Sequence, residues 1–350
     1  MKRPSKNRQT DLFAYQERAR ELAQRQTALD KLAGAIDFEG FRGLLEKRLD
    51  YRSGSQGGRP PFDPVLMFKI IVLQKYYGLS EEETEFQILD RHSFQRFLGL
   101  DVHDKVPDKN TVWTFKERLG AEGVQALFEQ FNARLERQGL MGREGKIVDA
   151  SFVDVPRPRH TREENDQIRR GEVPESFQEN PRRRCQKDLE ARWAKKGGET
   201  HCGYKNHVKA DALTKFIQAH AVTPANTHDS QTVDALVEPG DGDIYGDSAY
   251  SGAPVDRLLE KKKLRNYIHE KAARGHPLPP LKRQINRLKS SIRARVEHVF
   301  GHLSHVMGAD RIRTIGLRRA RQNIYLGNLV YNFCRCAWLG RNIAPGGVNG

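Results

Sequence analysis

Long hydrophobic runs are missing from this chain of 350 residues. No stretch approaches the roughly 18 apolar residues in a row that a membrane helix needs, so no membrane role is expected. The first ten residues, MKRPSKNRQT, have no apolar centre of the signal-peptide kind, and a cytoplasmic location follows as an expectation. Cysteine is scarce, with Cys185, Cys202, Cys334 and Cys336 the only four. They do not form two CxxC pairs, which argues against a structural zinc site and for ordinary reduced thiols. Acidic charge is also in short supply: 45 Asp and Glu stand against 60 Lys and Arg, a net charge of +15.

That excess is concentrated. Between Arg257 and Arg321 there are 18 Lys or Arg and 4 Asp or Glu, so nearly the whole net charge sits in one C-terminal segment. A polyanion is the natural partner of such a surface, and nucleic acid is the commonest one.

The chain divides by composition. Residues 1–60 form a polar arm with a short helical pattern, closing in the loop RSGSQGGRPPFDP. Residues 61–143 read as a compact helical region. PVLMFKIIVLQKYYGLS has the apolar density of a buried helix, and Ser80 with Glu83 makes a capping box for the next one. VPDKNTVWTFKERLG reads as an amphipathic helix, with Val112, Phe115 and Leu119 inward and Lys116 and Arg118 outward. Short helices ending in a basic one suggest a helix-turn-helix-like DNA-binding module. Residues 144–340 turn to strands: GKIVDASFVDV, a hairpin in YKNHVKADALTKFIQAHAVTPAN, then DGDIYGDSAY and LRNYIHE, with helices between and after. The expected fold is α/β, a mixed sheet covered by helices. A polar, Pro-punctuated stretch at about 156–203 reads as a surface insertion, and residues 341–350 as a tail.

Two carboxylates interrupt apolar strands. Asp149 lies in KIVDASF, and Asp247 follows Ile244, Tyr245 and Gly246. A buried carboxylate is costly unless bonded, paired or metal-bound, and two on neighbouring strands would make an oxygen-rich site suited to Mg²⁺ or Mn²⁺. Taken singly, each reads as well as a turn or cap residue, and Asp154, Asp241 and Asp243 compete nearby. A third carboxylate, Glu297, lies on a helix read from Leu281 to His305. It edges an apolar stripe of Leu288, Ile292, Val296, Val299 and Leu303, and shares its own face with Ser290, Arg293, Gly301 and Ser304. A simple Arg293–Glu297 surface pair is the plainer alternative.

Several stretches in this order, including GRPPFDPVLMFKIIVLQKYYGLSEEETEFQILDR, PDKNTVWTFKERL, IVDASFVDVPR, GYKNHVKAD, TPANTHDS, YGDSAYSG and SIRARVEHVFG, carry a resemblance. From about Gly58 to Trp338 the chain resembles the DDE transposases of bacterial insertion sequences, of the insertion-sequence-five family. The resemblance implies a ribonuclease-H-like sheet behind a helical DNA-binding region. It implies Asp149, Asp247 and Glu297 as a catalytic triad holding two Mg²⁺ or Mn²⁺ ions, about 3.5–4 Å apart. The activity implied is cleavage of the element's ends and joining to target DNA, by at least a dimer on terminal inverted repeats. Arg293 and Glu297 match the wider group's Tyr, Arg, Glu, Lys signature, but Ser290 and Ser304 replace its Tyr and Lys, leaving His302 or His305 as substitutes. Candidate DNA contacts are Arg293, Lys205, Lys209, Arg192, Lys195, Lys196, Lys116 and Arg118, with Trp193 as a stacking residue. A non-catalytic DNA-binding regulator is the rival reading, and a metal-dependent nuclease that does not join ends is a third.

Overall fold

The computed structural model describes residues 20–22, 24–50, 60–101, 103–142, 145–272 and 277–340, with Glu17 besides. The start of the polar arm, most of the RSGSQGGRPPFDP loop and the tail 341–350 therefore lie outside the described residues.

The N-terminal half is helical, as expected. Helix α1 (Ala28–Ala35) starts at a capping box between Thr27 and Asp30, and α2 (Arg42–Leu49) follows a short turn. Helix α3 (Pro64–Tyr77) has Asp63 accepting the N–H groups of Val65 and Leu66, proline at its first position, and Gly78 at its left-handed end. Val65, Met67, Phe68, Ile70, Ile71, Val72 and Leu73 are all buried, which explains an apolar pattern without a polar face. Helices α4 (Glu81–Asp90) and α5 (His92–Leu98) follow. Ser80 caps α4 through the Glu83 N–H, but the reciprocal half of the expected capping box is not made: Glu83 accepts from Gln87 at 2.6 Å instead. Helix α6 (Lys109–Arg137) is broken at Gly120, whose φ of 64° and ψ of 178° divide it into two helices. Left-handed φ favours glycine there.

Six strands form one sheet: β1 (Lys146–Asp154), β2 (Arg192–Lys196), β3 (Glu199–Asp211), β4 (Ile217–Pro224), β5 (Asp243–Gly246) and β6 (Arg265–Ile268). Strand β3 lies antiparallel to β1, β2 and β4, while β5 and β6 run parallel to β1. The order β4-β3-β1-β5-β6, an antiparallel meander extended by two parallel strands, is ribonuclease-H-like, and helices cover it. The insertion is shorter than its expected 156–203, because β2 and the start of β3 join the sheet. The stretch before β2 holds three short helices, α7 (Arg162–Arg169), α8 (Glu175–Gln178) and α9 (Pro181–Arg184). Helices α10 (Val233–Leu236) and α11 (Ala253–Lys261) connect β4, β5 and β6.

The helix read from Leu281 to His305 is not continuous. It is α12 (Pro280–Arg293), a 3₁₀ turn at Ala294–Val296, α13 (Glu297–Gly301) and a π turn at His302–Val306. Val296, Val299 and Leu303 reach the core as expected, whereas Leu288, read as part of the same stripe, is 67% exposed. Helix α12 buries none of its residues fully, and of its part of the stripe Ile292 packs against the core while Leu288 does not.

The final helix, α14 (Leu317–Trp338), packs on α6, α3, α1 and β4. Phe333 is fully buried and meets the rings of Phe38, Phe41, Phe68 and Phe131 at centroid separations of 4.7–6.3 Å. One hydrophobic core therefore runs from Leu29 through the helical region and the sheet to Cys336. Truncating that ring, Phe333→Ala, should cost about 3–5 kcal/mol. Denaturant unfolding followed by two probes should keep one transition at a lower midpoint. A variant whose helical region and sheet unfold in separate steps would contradict the shared core.

Candidate active site and nucleic-acid surface

Asp149 sits mid-strand on β1, opposite Val208 of β3, and is 8% exposed. One carboxylate oxygen accepts the Ala150 N–H at 2.8 Å and the other accepts Arg293 Nη1 at 2.7 Å. Burial is the largest influence on it and raises its pKa; nearby Asp247 raises it too, against the lowering effects of the Ala150 N–H, Arg293 and Lys196. Two carboxylates of one sheet thus sense each other, as the strand reading expected.

Asp247 follows β5 directly. It caps the 3₁₀ turn Ser248–Tyr250 by accepting the Ala249 N–H at 2.8 Å. Gly246 before it is required by close approach: a Cβ there would meet Val148 Cγ2 at 3.2 Å and Ile268 Cγ1 at 3.4 Å, on the two flanking strands.

Glu297 begins α13, and its side chain is 68% exposed. Its link to Asp149 is Arg293, whose guanidinium spans Asp149 at 2.7 Å and Glu297 at 3.5 Å. Among the described residues, no three acidic, histidine or cysteine side chains are arranged as a metal cluster. The competing carboxylates are engaged elsewhere: Asp154 with His201 at 3.3 Å, Asp241 with Lys209 at 2.8 Å, and Asp243 with Arg265.

Other groups here were not singled out from the sequence. Tyr250 is fully buried, its hydroxyl has no hydrogen-bond partner, and burial raises its pKa well above the usual value, with Asp149, Asp229 and Asp247 adding to the effect. It lies three residues after Asp247 in YGDSAYSG, so the motif contained it without marking it. His269 follows β6, and its Nε2 lies 3.3 Å from Ser290 Oγ. Burial lowers its pKa, and Arg293 and Lys289 lower it further.

Most of the expected DNA contacts are spent within the protein. Lys209 is buried and bonds both oxygens of Asp241 at 2.8 and 2.9 Å. Lys205 donates to the Thr227 carbonyl and to Asp229 at 2.7 Å. Lys116, read as outward, instead meets Glu81 at 2.5 Å and the Gln74 side chain, because α6 packs against α4. Arg192 bonds the carbonyls of Leu189 and Ala191. Arg293 pairs with Asp149 as described. Arg118, Lys195 and Lys196 are exposed. Lys196 also senses Asp149 and lies 6.0 Å from the Phe152 ring, so β2 borders the site. Of the substitutes considered for the missing Lys, His302 packs on Tyr331 with ring centroids 5.5 Å apart, and burial lowers its pKa, whereas His305 is exposed. Neither α4 nor the start of α6 presents a strongly basic face: α4 opens with Glu81, Glu82 and Glu83, and Glu117 is tied to Arg318 and Arg319.

Residues 141–333 match the family described as the transposase DDE domain, and residues 17–118 match a transposase domain, DUF772. The chain belongs to the DDE-type transposase family. A cryo-EM structure of a piggyBac transposase synaptic complex with hairpin DNA is similar at a TM-score of 0.41 and 12% identity, covering 93% of this chain and 79% of that one.

Two outcomes follow from the buried charges. Because burial raises the Asp149 pKa, the folded state holds that proton more tightly than the unfolded one. Its contribution is full below the unfolded carboxyl range near pH 3.9 and is lost as pH rises through the higher folded value. Asp149→Asn should therefore gain thermal stability relative to wild type as pH rises from about 3.5 to 7, as read by Tm across pH; a constant difference would contradict the burial cost. Lys209→Ala should lose about 3–5 kcal/mol by stranding Asp241, while the salt dependence of DNA affinity stays unchanged. A flatter salt dependence would return Lys209 to the DNA surface.

Proposed function

We propose that this protein is an insertion-sequence transposase, of the insertion-sequence-five kind, which cuts and rejoins DNA at Asp149, Asp247 and Glu297. The observation that carries the reading is the pair Asp149, within β1, and Asp247, directly after the parallel neighbour β5. Asp149 is buried, and its ionised form is opposed by burial and by Asp247. A divalent cation relieves that opposition, and an all-oxygen donor set suits Mg²⁺ or Mn²⁺. When bound, such ions supply positive charge against phosphate oxygens and an activated water.

The residues do the rest. Asp149 is held by the Ala150 N–H, and Asp247 by its own turn, so both carboxylates are oriented before substrate arrives. Glu297 joins them once Arg293 turns away from Asp149, and Arg293 is then released toward a phosphate. The exposure of Glu297 and the lack of buried residues on α12 leave that end of the site open to a DNA strand. No covalent intermediate on the protein is needed, since water and then a DNA 3′ hydroxyl serve as nucleophiles. Terminal inverted repeats and target DNA are the substrates, held by a dimer or larger assembly.

Mn²⁺ titration with thermal melting should raise the Tm of wild type, and Asp149→Ala should abolish that rise. Asp149→Ala, Asp247→Ala and Glu297→Ala should each abolish metal-dependent cleavage of DNA bearing the element's ends, with binding retained. Binding without cleavage by wild type would favour the regulator. Cleavage without joining would favour the nuclease.

A further inference from the structure

The segment after the π turn adds itself to the end of β1. The Asp154 N–H donates to the Asp310 carbonyl at 2.8 Å, and the Ile312 N–H donates to the Asp154 carbonyl at 2.9 Å. Side chains alternate along an extended segment. Ile312 is buried against Val153, Val155, Cys202 and Tyr204, so its neighbours Arg311 and Arg313 are both turned to solvent. Together with Arg157 they line a groove of about 390 Å³, with Cys202 and Asp154 in its wall.

Arg157, Arg311 and Arg313 have no carboxylate partner among the described residues, whereas some other members of the basic C-terminal segment do, as Lys262 with Asp234, Lys282 with Glu270 and Arg319 with Glu117. Asp154, the one acid in the groove wall, is held by His201, which stacks on Phe152 at 4.2 Å. Three guanidiniums around one groove repel each other unless an anion lies between them. The groove also has an aromatic edge. Trp193 pairs with Cys202 across β2 and β3, is 45% exposed, and has the Arg157 guanidinium 5.8 Å from its ring. Arginines with an exposed ring are the parts that grip a nucleic-acid strand through its phosphates and one base face.

We propose that this groove holds the phosphate backbone of the DNA strand leading away from the catalytic carboxylates, gripped without regard to sequence, with Trp193 against a base. The placement rests on the catalytic reading of Asp149. Asp154 is five residues further along β1, about 17 Å at 3.3–3.4 Å per residue, so the groove meets the strand about five phosphates of B-form DNA from the cut. Phosphate contacts fix position and carry no base information, which suits a strand whose sequence varies, as flanking or target DNA does.

The test uses the full-length protein and the doubly substituted Arg311→Gln, Arg313→Gln variant, with affinity measured against salt on a duplex of arbitrary sequence. Each phosphate contact contributes about 0.9 to the slope of log affinity against log salt. The variant should lose about 1.8, and affinity should fall equally for DNA bearing the element's ends and for scrambled DNA. Trp193→Ala should weaken single-stranded DNA binding about 5- to 150-fold with little change in slope. An unchanged slope in a variant that melts like wild type overturns the groove, as does a loss confined to the element's ends. Should the double variant misfold, Arg157→Gln on the rim should lose about 0.9 of slope. Wild-type protein that never cleaves with Mn²⁺, yet shows the slope loss, sinks the catalytic reading and keeps the groove. Protein that cleaves while the slope stays fixed does the reverse.

Discussion

Everything in this fold leans on the last helix. Leu317–Trp338 lies between the N-terminal helices and the sheet and is bonded to both. Asn332 donates to Asn132 Oδ1 at 3.1 Å and to the Ile217 carbonyl at 2.8 Å, while its own oxygen takes the Ile217 N–H at 2.9 Å. Asn328 exchanges hydrogen bonds with Asn206 at 2.9 and 3.0 Å and donates to His220 at 3.1 Å. Both asparagines are fully buried, so each bond lost would leave a polar group stranded in an apolar interior. This makes the helix a register key as well as a hydrophobic wedge. It fixes β3 and β4 relative to α6, and β3 in turn aligns β1. A fragment of the helical region alone would lose this partner and expose Phe38, Phe41, Phe68 and Phe131.

The site shows the opposite economy. Asp149 sits in a strand whose neighbours are buried, and its charge is held by one backbone N–H and one arginine. That arrangement is poor for stability and useful for chemistry, because a carboxylate that is costly to ionise alone gains most from a cation. Arg293 supplies a positive charge to Asp149 and Glu297 in the protein as it stands.

Some of the expected surface was internal for a simple reason. Lys205 and Lys209, expected as DNA contacts, lie on β3 where the strand is buried on both faces. Their partners, Asp229 and Asp241, are more than twenty residues away in sequence and reach them only because the connection after β4 folds back over the sheet. Lys116 was misplaced in the same way, since Glu81 belongs to a different helix. A basic residue in a strand or helix has no sequence mark that tells a phosphate contact from an internal ion pair.

The sequence by itself marked Asp149 inside a strand and Asp247 at the end of one, because a charge beside an apolar run is visible without knowing its neighbours. It determined the buried helix Pro64–Tyr77, the hairpin of β3 and β4 and the concentration of positive charge at the C-terminal end for the same reason: each is a local pattern. Only the tertiary structure decided that Arg293 stands between Asp149 and Glu297, that Tyr250 and His269 border the site, and that Leu288 faces water. It alone brought Arg157, Arg311, Arg313 and Trp193, from three separate stretches, around one groove. The groove depends on a late segment that pairs with the end of β1, which is settled by packing between distant parts of the chain, where local periodicity carries no information.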